Sequence, residues 1–181
     1  PLSHTYEREC GHGIAMLTAS TIAYSSPQTL VQDFADFKPG YFMSVPRIYE
    51  RIFMALRAKA SQSAAGKIIF NQAIKTGLKL VDTISDKDGF IDVYPGMDLT
   101  ENVGLLLKLK YRLYDKLIFS KVREAFGGRF RFAFSAAGSL NADLCKTFLA
   151  MGIRITEGYG ATETWNEVTV NRLNKILPGS I

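Results

Sequence analysis

RFAFSAAGSLNADLCKTFLAMGIRITEGYGATET, residues 131–164, reads as strand, turn, helix, strand and turn in immediate succession. Arg131 to Ser135 has the aromatic content and alternation of a strand. Ala136-Ala137-Gly138 is a small-residue turn, Asn141 can cap a helix that runs to Met151, and Gly152 stops that helix. Ile153 opens the next strand, which is expected to end near Thr156, where the chain must turn at once. A strand-helix-strand unit of this kind predicts an α/β fold and delivers two turns, 135–139 and 156–163, to one sheet edge. Ligands of such sheets sit beyond the carboxyl ends of the strands, and two adjacent ends lined with small residues make a slot for a flat ring. Small residues in turns also serve close helix packing, and that reading stays open.

The second turn carries the chemistry. Gly158 and Gly160 flank Tyr159, which lets the backbone approach a flat ligand while the ring stacks on it. Thr162 offers a hydroxyl to a phosphoryl oxygen, and Glu163 offers a carboxylate to Mg²⁺ beside it. A glycine-rich turn that only satisfies its own backbone is the competing reading.

Working upstream, a helix is expected from a Ser3 cap through Tyr6 toward Met16, followed by a short strand over Thr21 to Tyr24. Ser26-Pro27 opens a helix that runs to about Phe37, and Tyr41 to Val45 is a strand parallel to the one before it. Pro46 starts a helix with Ile48, Ile52, Phe53 and Leu56 on one face, and an amphipathic segment follows Gly66 to Val81. Residues 82–100 have the composition of a surface loop, and their acidic residues lack the spacing of a dedicated calcium loop. Val103 to Ala125 is a helix bearing Leu105, Leu106, Leu109, Leu113 and Leu117, with Lys108, Lys110, Arg112, Lys116, Lys121 and Arg123 as a basic stripe. The stripe can face an anionic membrane or simply solvent.

With 181 residues and 47% apolar composition the chain can bury a full core. The excess of 22 basic over 17 acidic residues is spread along the chain, so nucleic acid is not indicated as a partner. Cys10 and Cys145 lie outside any CxxC spacing and are expected to be reduced and buried. The chain shows no cationic leader and no apolar run long enough to span a bilayer, which predicts a soluble, cytoplasmic protein with peripheral membrane contact left open. Its start at Pro1 and end at Gly179-Ser180-Ile181 predict a single segment, 1–181, of a longer polypeptide.

Glu157-Gly158-Tyr159-Gly160-Ala161-Thr162-Glu163-Thr164 resembles the signature of the adenylate-forming enzymes, and more narrowly of the AMP-forming long-chain fatty acyl-CoA synthetases. Pro1 to Arg8 is similar to the family's segment with a histidine at the acyl side of the site, and Ser44 to Glu50 to its VPR-Y-E helix start. Phe134 to Asn141 resembles its SGGAPLS turn, and Val168 to Ile181 its VT-N…PGS run. The resemblance covers the chain in the family's order. It implies that a fatty acid carboxylate is joined to ATP with loss of pyrophosphate, and that the thiol of coenzyme A then attacks the acyl adenylate. It further implies that Tyr159 stacks on adenine, Thr162 touches the α-phosphate and Glu163 binds Mg²⁺. Ala136, Ala137 and Gly138 then flank adenine and the acyl carbonyl, with Glu157 and Gly158 to Gly160 in the same wall, and His4 lies against the carboxylate or gates the acyl tunnel.

Two departures stand out: Ala136-Ala137 replaces the family's paired glycines, and Trp165 follows the motif where a small residue is common. The family's phosphate loop, ribose-binding aspartate, hinge and catalytic lysine have no counterpart in this sequence, so the isolated segment is expected not to adenylate. The expected architecture is α/β, a parallel sheet of about four or five strands flanked by helices, with an exposed edge open to self-association. Two other functions fit the same residues: an adenylating ligase for an aryl or shorter acid, and a non-catalytic membrane or protein interaction module.

Overall fold

Residues 3–94 and 96–180 are described by the computed structural model. Tyr41–Ser44 (β1), Phe132–Ser135 (β3), Ile155–Ala161 (β4) and Asn166–Val170 (β5) form a sheet of order β1-β3-β4-β5. The first three strands are parallel and β5 pairs antiparallel with β4. A two-stranded antiparallel pair, Ile91–Asp92 (β2) with Lys175–Ile176 (β6), lies apart from this sheet.

Alternation along the strands separates two apolar layers, as a pleated sheet with both faces covered requires. Phe42, Ala133 and Ile155 belong to the large core beneath the helices Pro46–Ala60 (α3), Ala64–Ile84 (α4) and Ala142–Ala150 (α7). Their neighbours Met43 and Phe134 face the other way and meet Tyr6 and Cys10 of the first helix. That helix is a π-helix over Glu7–Gly13 that becomes α-helical over Ile14–Leu17 (α1). The α/β class with helices on both faces is thus the observed architecture.

α7 shows how local sequence seats the site. The Asn141 side chain accepts the Leu144 N–H at 3.0 Å, Gly152 takes a left-handed φ of +81° behind the last turn, and Leu144, Cys145, Phe148 and Leu149 are all buried. Both flanking segments therefore enter the sheet at defined points. Replacing Asn141 with alanine leaves that N–H without its cap and is expected to cost about 1 kcal/mol, read as a lower urea midpoint with unchanged m-value. α4 crosses α7 closely, since a Cβ at Gly77 would stand 2.7 Å from the Ala150 Cβ.

Several expectations are corrected. Thr21 to Tyr24 forms no strand; with no neighbour to pair, its branched residues run as irregular chain, so β1 is the first strand. His4, not Ser3, caps the first helix: its Nδ1 accepts the Tyr6 N–H at 3.2 Å. Leu30–Phe37 (α2) begins after a turn in which the Ser26 carbonyl accepts from Thr29 and Leu30, so Pro27 precedes the helix. The 82–100 stretch is not only loop, because Ile91 is fully buried in the β2–β6 pair. The helix from 105 is Leu105–Tyr114 (α5) and Ser120–Ala125 (α6), joined by a π turn at Asp115–Phe119. Most consequential, the strand that was expected to end near Thr156 continues through Gly158, Tyr159 and Gly160 to Ala161.

Candidate nucleotide-site wall

The turn after β3 and the end of β4 meet at the carboxyl edge of the sheet. Ala136 is buried, and Ala137 adopts a left-handed φ of +62° although it is not glycine, so the turn keeps its shape at some backbone cost. β4 ends at Ala161 and passes into a 3₁₀ turn, Thr162–Thr164. The Thr164 hydroxyl pins this turn, accepting the Ala161 N–H at 3.2 Å and donating to the Ala161 and Asn166 carbonyls. Trp165 and Asn166 then take positive φ values of +62° and +118°, which swings the chain back into β5.

His4, Ala136, Ala137, Gly160, Thr162 and Glu163 line one cleft of about 220 Å³. Six positions read from three separate stretches of sequence thus share one concavity. The other four are placed elsewhere. Gly138 faces Pro46 at the start of α3, and Tyr159, 57% exposed, lies beside the cleft rather than in its lining. The place of a Cβ on Gly158 is taken by the Phe134 ring at 2.6 Å, and on Gly160 by the Asn166 carbonyl oxygen at 1.8 Å. The space beside both glycines is therefore filled by the chain itself.

Glu157 is buried and works as a strap. Its Oε1 accepts the Leu140 N–H at 3.2 Å and its Oε2 the Gly179 N–H at 2.9 Å, tying the loop before α7 to the segment after β6. Burial raises its carboxyl above the ordinary value, and the two N–H donors act against that rise. A carboxyl raised on folding contributes stability that is complete below its unfolded pKa and declines as pH climbs through the folded one. Between those two values the urea midpoint is expected to fall with rising pH, and Glu157→Gln is expected to flatten that segment of the profile. A wild-type midpoint that rises across the window would contradict the assignment.

Three further groups in the lining of the cleft, Tyr6, Asn166 and Glu167, carry no role in the sequence reading. Tyr6 donates to the Ser44 and Phe134 carbonyls at 3.2 and 3.0 Å, closing the ends of β1 and β3, and burial drives its phenol well above the ordinary range. Glu167 accepts the Cys10 thiol at 2.6 Å, and Asn166 Nδ2 donates to Glu167 at 2.6 Å and to Cys10 Sγ at 3.2 Å. Burial, then donation to Glu167, pushes the Cys10 thiol up to about 12, so it stays protonated at neutral pH. Asn166 and Glu167 became wall residues only because β5 folds back on β4. A marginally larger cavity, about 240 Å³, opens elsewhere in the fold between Tyr94, Phe130, Arg131 and Arg154 and shares no lining residue with this cleft.

As a donor set, the cleft offers the Thr5 and Thr162 hydroxyls and the carboxylates of Glu163 and Glu167, of which Glu167 is engaged by Cys10 and Asn166 while Glu163 has no hydrogen-bond partner among the described residues. No cluster of three His, Cys, Asp or Glu side chains suited to a metal occurs among the described residues. Mg²⁺ commonly takes one or two carboxylates and fills its shell with phosphate oxygens and water. Glu163 therefore fits a magnesium ion that arrives with a polyphosphate and not one held by protein alone. Ligand pockets generally span about 300–1,000 Å³, so a cleft of this size has room for only part of a ligand in that range.

Comparison with known proteins accords with this geometry. The family described as AMP-binding enzyme matches residues 1–181. The chain is 30% identical over its whole length to a long-chain-fatty-acid–CoA ligase, FadD15, of Mycobacterium bovis, covering 28% of that protein. It is 31% identical, over 91% of its length and 22% of the relative's, to long chain acyl-CoA synthetase 4 of Arabidopsis thaliana. Among solved structures, an anthranilate CoA ligase, AuaEII, in complex with anthranoyl-AMP superposes on 89% of this chain and 20% of that one, with 18% identity and a TM-score of 0.42. The chain thus spans between a fifth and a third of these proteins. A family match that runs from the first residue to the last, over a fold that gathers the signature residues at one sheet edge, shows that this chain belongs to the AMP-binding enzyme family.

Proposed function

We propose that the protein carrying this chain is an ATP-dependent long-chain fatty acid–CoA ligase, and that the chain supplies one wall of its adenylation site. The observation that carries the reading is the cleft in which His4, the Ala136-Ala137 turn and Thr162-Glu163 converge at the carboxyl edge of β3 and β4. Relatives named as long-chain fatty acid–CoA ligases and long chain acyl-CoA synthetases favour a long acyl substrate.

In the proposed reaction the acid carboxylate attacks the α-phosphorus of ATP, pyrophosphate leaves, and the thiol of coenzyme A then displaces AMP from the acyl carbon. Thr162 donates its hydroxyl to an α-phosphate oxygen and holds it in line for attack. Glu163 is the residue that would hold a magnesium ion arriving with the polyphosphate, and that ion would supply positive charge to the phosphate oxygens. His4 Nδ1 already accepts the Tyr6 N–H, so in the neutral ring Nε2 carries the proton and is the nitrogen left to donate to the carboxylate. Tyr159, with most of its ring open beside the cleft, provides the stacking face for adenine.

The test is calorimetric titration of the full-length protein with a non-hydrolysable long-chain acyl-adenylate analogue. The wild type is expected to bind, and Tyr159→Ala to bind about tenfold more weakly or worse, the usual cost of losing one stacking platform. Equal affinity of the two proteins would remove Tyr159 from the site, and absence of binding by the wild type would overturn the proposal.

A further inference from the structure

The helical run from Leu105 to Ala125 is apolar on two opposite sides, and among the described residues only one of them is packed into the core. The inward side, with Leu107, Tyr111, Tyr114 and Phe119, packs into the large core, where Tyr111 is 7% and Phe119 0% exposed. On the other side Leu105, Leu106, Leu109 and Leu113 are 72%, 69%, 58% and 55% exposed. At 3.6 residues per turn they fall within an arc of about 100°, roughly opposite Leu107 and Tyr111. Leu117, 40% exposed, follows one turn later. Single exposed leucines are ordinary protein surface, but a continuous stripe of them marks a contact.

Cations border this stripe. By helical position Lys110 lies along one edge and Lys108 and Arg112 along the other, with Lys116 and Lys121 further on. The run carries six Lys and Arg against two acids, and one of those acids, Asp115, is held by Arg123. Asp98 sits beside Lys108 and Arg112, at 4.0 and 3.0 Å, so one carboxylate is shared between two cations. A second copy of the chain laid on the stripe would bring like charges together along both edges. Anionic headgroups complement the same edges while the leucines enter the acyl boundary.

We propose that the Leu105–Leu117 stripe docks the protein on an anionic lipid bilayer, lying in the plane of the interface. No helix among the described residues is long and apolar enough to cross a membrane, and none needs to for this mode of binding. The inference rests on the helix alone and is independent of the reaction proposed above.

The test is co-sedimentation of the full-length protein with vesicles of phosphatidylcholine alone or with about one-third phosphatidylglycerol. Binding is expected only to the mixed vesicles and is expected to weaken as salt rises. The triple variant Leu106→Ser, Leu109→Ser, Leu113→Ser is expected to lower the bound fraction about tenfold or more while leaving the far-UV circular dichroism unchanged, since all three side chains are exposed. Lys110→Gln with Lys116→Gln is expected to remove the preference for the mixed vesicles. No sedimentation of the wild type at low salt would overturn the proposal, as would wild-type binding by the folded triple variant. A dimer in solution that the triple variant dissolves, without vesicle binding, would overturn it in favour of self-association.

Discussion

Gly160→Ala is expected to destabilise the fold by about 3 kcal/mol, at the upper end of ordinary overpacking costs, and to open the cleft wall built by β5. An added Cβ would stand 1.8 Å from the Asn166 carbonyl oxygen, 2.3 Å from its carbon and 2.9 Å from the Glu167 Cα. All three are backbone atoms, so no side-chain rotation relieves the clash, and the strands must part where their register already shifts between Tyr159 and Gly160. Asn166 and Glu167 would move with β5 and take with them their bonds to Cys10. Urea unfolding gives the cost, and faster amide exchange at Val168 and Val170 would locate it in the β4–β5 pair. A midpoint within about 0.5 kcal/mol of wild type would show that the hairpin is not as tight as described. Gly138→Ala is the matched control, because its Cβ would meet only Pro46 at an ordinary 3.6 Å.

Glu163→Gln is expected to act on chemistry and leave the fold intact. The side chain is exposed and makes no hydrogen bond or ion pair among the described residues, so its loss costs little stability. In the full-length protein, acid-dependent pyrophosphate release should fall about a hundred- to a thousand-fold, the scale seen when one preorganised group that stabilises developing charge is removed. Raising free Mg²⁺ is expected to restore part of the loss, because glutamine keeps one oxygen ligand while giving up the charge. Release within threefold of wild type at equal Mg²⁺ would take Glu163 out of the proposed mechanism.

The two substitutions separate what was legible in the sequence from what was not. Caps, stops and amphipathic runs act within a few residues, so the Asn141 cap, the Pro46 start and the Gly152 stop could be read directly and stand in the fold as read. Thr21 to Tyr24 has the composition of a strand yet has no strand beside it, because pairing is decided by distant residues. The same dependence hid β5. Asn166 to Val170 became a strand by folding back on β4, and that return put Asn166 and Glu167 into the cleft wall against Cys10, more than 150 residues earlier in the chain.

By itself, then, the sequence determined the α/β class, the helices that carry their own start and stop signals, and the motif residues His4, Ala136-Ala137 and Thr162-Glu163. Local physics and a continuous family pattern specify each of these. Tertiary structure decided the meaning of the glycines. Gly158 and Gly160 promise close approach to a flat ligand in one dimension, but in three the Phe134 ring and the Asn166 backbone already occupy the space their missing side chains leave. Which neighbour fills a gap depends on which strands meet, and strand pairing is a property of the assembled sheet and not of any one segment.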